Sequence, residues 1–282
     1  MPPHSRTLPA AYRYAPLVVF AAATLVNFLP LGERRFEDDA ETLVTVAGYA
    51  FSIWGVIFLG LLGFSLVVAL GREPGTPPLR RSVVGLCVAG LASIAFVPIS
   101  IGGDQVQGFL DVALHLGALI YAYGKLRAHV ALTPGARTRG QAFWLYGPSM
   151  YLAWISAATV IAASLALEQV GVRTSVGSGL ALACVLVLVL FGIGRQFQRY
   201  ADNVYGLTVA WALVGLGVEQ AAFPVLRYLA WAAAATLLVD ALLRVSRGRY
   251  GFYATPSYYD DAPAESLRGA TPSRTTTSSR PS

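Results

Sequence analysis

From Ala47 to Gly71 the chain reads AGYAFSIWGVIFLGLLGFSLVVALG, 25 residues without a charge. At about 1.5 Å per residue, a helix of that length crosses a hydrocarbon core of roughly 30 Å. The first half of the run also gathers Gly48, Tyr49, Phe51, Ser52 and Trp54, aromatic and small residues at the point where such a helix meets the membrane surface.

The rest of the chain agrees with that reading. Of 282 residues 55% are hydrophobic and 13% charged, against about 25% charged in soluble domains, and the mean hydropathy is +0.57. This is the composition of an integral membrane protein. The net charge of +6 does not point to nucleic acid, because Lys125 is the sole lysine and most arginines fill short gaps between apolar runs. Basic residues placed that way set topology. Cys87 and Cys184 each lie inside an apolar run and read as small buried hydrophobes rather than a disulfide or metal pair.

Eight spans are expected, at about 14–32, 47–71, 82–101, 105–123, 143–167, 176–194, 204–218 and 224–243. The first is too long for a signal peptide and no small-residue cleavage site follows it. With residues 1–13 inside, all of the 21 basic residues except Arg34, Arg35, Arg173 and Arg227 fall on the inner side, which puts both termini inside. Beyond residue 250 the chain is rich in Ser, Thr, Pro, Arg and Tyr and has too little aliphatic content to fold alone, so a disordered inner tail is expected over 250–282. The fold class is therefore all-α, a polytopic helical membrane bundle.

Most familiar chemistries are missing. No lysine sits mid-span for a retinal Schiff base, and no HExxH, paired histidines, Cys/His cluster or P-loop occurs. No serine is paired with a base at a recognisable spacing, and the chain is not read as an enzyme. The sharpest polar feature is Asp111 with His115, four apart and so on one helix face, roughly 9 and 15 Å below the outer end of the fourth span. Intramembrane ionisable groups face a cavity or a partner, so the pair either fixes packing between helices or marks a site. Asp240 with Arg244 reads as a snorkelling pair at the inner edge, Glu168 and Glu219 as solvated span ends, and Asn27 and Gln107 as interhelical glue. Gly85, Ala89 and Ser93, and Ser149, Ala153 and Ala157, form small-residue stripes for close packing. Trp54 and Trp154 lie deep in their spans, where an indole either fills the bundle core or walls a cavity for a flat apolar ligand.

GYAFSIWGVIF (48–58) and YLAWISAATV (151–160) resemble two signatures of the TspO/MBR family, the tryptophan-rich sensory and translocator proteins, and WALVGLGV (211–218) resembles a late-span motif of a longer branch. The resemblance implies a five-helix bundle over 14–170, followed by three added spans over 171–249. It also implies a homodimer, and a cavity beneath the first loop that takes tetrapyrroles or sterol-like lipids. Carried over by motif, Tyr49, Phe51 and Trp54 belong to the second-helix signature, and Tyr151 and Trp154 to the fifth. The chain departs from the family in having Val46-Ala47 where a proline is usual, and SIAFVPIS (93–100) lacks the third-helix Asn and Trp.

The function expected from residues and resemblance together is binding of a flat apolar ligand, in a sensory or transport role. Tyr49, Phe51, Trp54, Tyr151 and Trp154 would wall the site, and Asp111 or His115 would supply its polar contact. Two alternatives stand beside it, a proton-coupled transporter of a small solute using Asp111 and His115, and a non-catalytic membrane scaffold. No cofactor or metal is called for beyond a tetrapyrrole as ligand. The expected partners are membrane lipid and a hydrophobic small molecule, with no nucleic acid. The short, Arg-rich loops suggest a bacterial plasma membrane.

Overall fold

The computed structural model describes residues 8–29, 42–71, 75–132, 145–172, 175–199 and 202–246. The tail over 250–282 and the interface aromatics Trp144 and Tyr200 lie outside the described residues. Eight helices run in order: α1 (Ala10–Phe28), α2 (Ile53–Ala69), α3 (Pro77–Gly102), α4 (Gln105–Leu132), α5 (Tyr146–Gln169), α6 (Val176–Arg199), α7 (Asn203–Glu219) and α8 (Pro224–Ser246). A 3-10 turn, Gly48–Ser52, leads into α2. Seven of the helices, α2 counted together with the turn before it as Gly48–Ala69, are long and apolar enough to cross a membrane, and α7, with 17 residues, falls short of that length. The chain is a multi-pass helical membrane bundle.

The helix ends follow local chemistry. α1 lies about four residues earlier than its apolar run suggests. It starts directly after Pro9 and stops before Leu29, whose extended backbone (φ −71°, ψ 140°) is what a residue preceding proline prefers. At the start of α3, Thr76 Oγ1 accepts from Leu79 N at 3.3 Å and Pro77 takes the first helical position. At its end, Gly103 adopts φ +73° and turns the chain into α4. The fourth helix continues nine residues past Tyr123, because Leu126, His129 and Val130 keep its buried face going. Thr76 Oγ1 and His129 Nδ1 meet there at 2.7 Å.

α1 packs on α2 and α3, α3 on α4, and α4 and α2 on α5. The fifth helix then carries α7, against which α6 and α8 pack. α2 and α5 meet backbone to backbone, where a Cβ on Gly147 would lie 2.4 Å from the Gly60 carbonyl carbon. The stripe Gly85, Ala89 and Ser93 serves three neighbours. Gly85 abuts Ala122 of α4, Ala89 O accepts from Tyr151 of α5 at 3.0 Å, and Ser93 Oγ accepts from Asn27 of α1 at 3.1 Å. Asn27 is thus the interhelical glue expected, whereas Gln107 is exposed. Cys87 and Cys184 are free and half-buried. Asp240 takes both Arg244 Nε and Arg195 Nη1 at 2.7 Å.

At the end assigned to the inside, Asp202 caps α7 by accepting from Tyr205 N at 3.0 Å. Its other oxygen accepts from Ser149 Oγ of α5 at 2.6 Å and from the Tyr123 hydroxyl of α4. One buried carboxylate therefore ties α7 to the earlier helices. Burial pushes this carboxyl above its ordinary value of 3.8, outweighing the three donors and nearby Arg127.

Two outcomes follow for stability, both measurable by unfolding in detergent. Gly147→Ala forces α2 and α5 apart and should cost about 1–3 kcal/mol, whereas Gly63→Ala, with nothing within 4 Å of the new methyl, should be neutral. Asp202→Ala strands three donors and should cost about 3 kcal/mol or more, and Asp202→Asn, which still caps, about 1 kcal/mol. Because the folded carboxyl holds its proton more tightly than the unfolded one, the stability that this group contributes is fully present below pH 3.8. It falls as pH rises toward the folded value, and Asp202→Asn should remove that slope.

Candidate functional site

The fourth and fifth helices each turn one face toward the same space. On α4 the face is Gln105, Gly108, Val112 and His115, spaced by three or four residues. On α5 it is Trp154, Ala158, Ile161, Ala162 and Leu165. Residues at those intervals lie above one another on a helix. Between these faces lies a cavity of about 390 Å³, closed by Asn27 of α1, Trp54 of α2, Ser93 and Phe96 of α3, and the segment before α2. Gln105, Leu165 and Glu219 of α7 place its mouth at the end of the bundle that the charge distribution assigns to the outside. The volume falls within the usual range for small-molecule sites.

Four of the seven residues singled out in the sequence line this cavity: Phe51, Trp54, His115 and Trp154. Trp154, almost fully buried, meets Phe51 edge-on with centroids 5.6 Å apart. Trp54 stacks on Phe58, four residues along α2, at 5.4 Å. The other three stand outside the wall. Tyr151 is wholly buried behind it, edge-on to Trp54 at 5.7 Å and to His115 at 5.8 Å, its hydroxyl pinned to Ala89 O. It orients two lining side chains without touching the space. Asp111 sits one turn from His115 and faces its ring. Tyr49 is exposed and packs edge-on against Trp211 of α7 at 5.6 Å.

Two polar groups in the wall engage each other: Asn27 Nδ2 donates to Ala23 O at 2.9 Å and to Ser93 Oγ at 3.1 Å. His115 differs from them. The residue is 2% exposed, and its Nδ1 stands 3.2 Å from Asp111 Oδ2 without the alignment of a hydrogen bond. Neither ring nitrogen has a hydrogen-bond partner among the described residues. Such a buried group costs about 1–3 kcal/mol. No group of three or more His, Cys, Asp or Glu side chains suited to a metal ion occurs among the described residues.

Asn27, Ser93 and Glu219 also line the cavity, and the sequence assigned them to packing or to solvent. The repeat 154, 158, 161, 162, 165 on α5 was readable as a face. Nothing in it said that the face borders empty space rather than a neighbouring helix.

Among the described residues, eight apolar helices with an aromatic-walled cavity at one end define a polytopic helical membrane protein. A protein-family model described as TSPO-like protein matches residues 11–243, and the chain belongs to that family. The match runs from α1 into the last turns of α8, so it takes in the three added helices as well as the first five. Searches of curated proteins and of solved structures find no match.

Proposed function

We propose that this TSPO-like protein binds a bulky, flat, mainly apolar molecule carrying a polar edge, a tetrapyrrole or a sterol-like lipid, in a sensory or transport role. The reading rests above all on His115, a buried imidazole without a hydrogen-bond partner in the wall of a 390 Å³ cavity faced by Phe51, Trp54 and Trp154. The indoles offer flat apolar surface, and the imidazole meets the one polar group such a ligand brings below the mouth. Asp111 acts through the ring, its Oδ2 standing 3.2 Å from Nδ1 on the same helix face.

The same Asp111–His115 approach of 3.2 Å supports a second reading, proton-coupled movement of a small solute, in which the pair titrates during the cycle.

Tryptophan-fluorescence quenching of the purified protein by protoporphyrin IX and by the fluorescent sterol dehydroergosterol tests the first reading. One of the two should quench saturably at micromolar concentration. Trp54→Phe and Trp154→Phe should weaken the effect, and His115→Leu should lower affinity by about tenfold. If neither probe quenches saturably, the ligand reading is lost. Uptake into proteoliposomes that depends on pH and disappears in Asp111→Asn would then favour the transporter.

A further inference from the structure

The cavity's rim is built from residues 42–52, of which Thr45, Val46, Gly48 and Phe51 face the space. This segment has little internal support. It contains one 3-10 turn, a weakly bonded element, and few local hydrogen bonds besides Ala50 N to Ala47 O and Thr45 N to Thr42 O. Phe51 packs on Trp154 of α5, and the segment's long-range hydrogen bonds among the described residues come from α7 and from Gln220, which caps that helix. Ala47 N donates to Gly215 O at 3.1 Å, and Trp211 Nε1 donates to Ala50 O at 2.9 Å. Gln220 Nε2 reaches Thr42 O at 3.2 Å and Thr45 Oγ1 at 3.3 Å. Gly215 gives Ala50 its seat, since a Cβ there would stand 2.8 Å from the Ala50 methyl. These contacts span more than 160 residues of sequence, and they alternate with the rim residues that line the cavity.

We propose that α7 is the positioning element of the ligand cavity: Trp211, Gly215 and Gln220 hold residues 42–52 in the form that presents Gly48 and Phe51 to the ligand. The proposal rests on the reading of the cavity as a ligand site. The three are positioning residues, because they act through the rim and do not line the space themselves. Their partner Glu219 does line it, so the late helices supply both a rim side chain and the rim's anchor. A ligand can leave only past this segment or between helices, so a loosened rim shortens its stay.

Hydrogen exchange of the full chain in detergent, read by mass spectrometry without ligand, tests the anchoring directly. In Trp211→Phe, which keeps a ring and loses the donor, and in Gly215→Ala, amides of residues 45–52 should exchange about three- to tenfold faster, while α3 and α4 keep their protection. Adding Ala50→Gly to Gly215→Ala removes the opposing methyl and should return the exchange to the level of Ala50→Gly alone. With protoporphyrin IX or dehydroergosterol bound, the dissociation rate should rise by a similar factor in the two single variants and recover in the pair. Unchanged exchange over 45–52, or acceleration spread through all eight helices, overturns the proposal whatever the probes do. Should the wild-type protein take up neither probe, the ligand reading fails alone, and the exchange data still decide what α7 does.

Discussion

The crossing of α2 and α5 at Gly60 and Gly147 is the contact on which the arrangement depends. The two backbones touch there with no side chain between them. Trp54 lies six residues from that point and Trp154 seven, each toward the outer end, or about 9 and 10 Å along their helices. At that outer level both indoles line the chamber, whose longer walls are α4 and α5.

In a membrane, polar groups must find partners inside the protein, and several described ones here do so in ways that join helices. Asn27 reaches α3, Tyr151 reaches Ala89, and Asp202 gathers donors from α4 and α5. Arg13 donates to Ala69 O at the end of α2 through Nη2 at 2.7 Å. Against that background the bare imidazole of His115 stands out. It lies in a wall where Asn27 and Ser93 bond each other, and its neighbours Asp111 and Tyr151 face it without bonding it.

α7 connects the two ends of this system. Its first residues are held by the Asp202 cluster, and its last lie on the cavity rim. It packs against α5, α6 and α8, so a helix of 17 residues is screened from lipid along much of its length. The family match continues through this helix and α8, in keeping with late helices that are part of the machinery around the chamber rather than an appendage.

The number of spans, their order and the helical class were legible in the sequence, because the bilayer demands long uncharged runs whatever the neighbours. Glycine and proline marked many ends, as at Pro77 and Gly103, since those choices depend on local backbone chemistry alone. The signatures around Trp54 and Trp154 were legible too, and so was the single face shared by Asp111 and His115, because helical periodicity is local. Which side of each helix meets a neighbour, lipid or a void was not. Tyr151 reads like Trp154 three residues away, yet one is a strut and the other a wall. Asp202 falls in the loop before the seventh span and Gln220 just past that span, and the late-span motif that begins at Trp211 says nothing of a cavity rim. Their roles arise where residues more than 50 or 150 positions apart meet, and a sequence pattern carries no information about such a meeting until packing has fixed which faces touch.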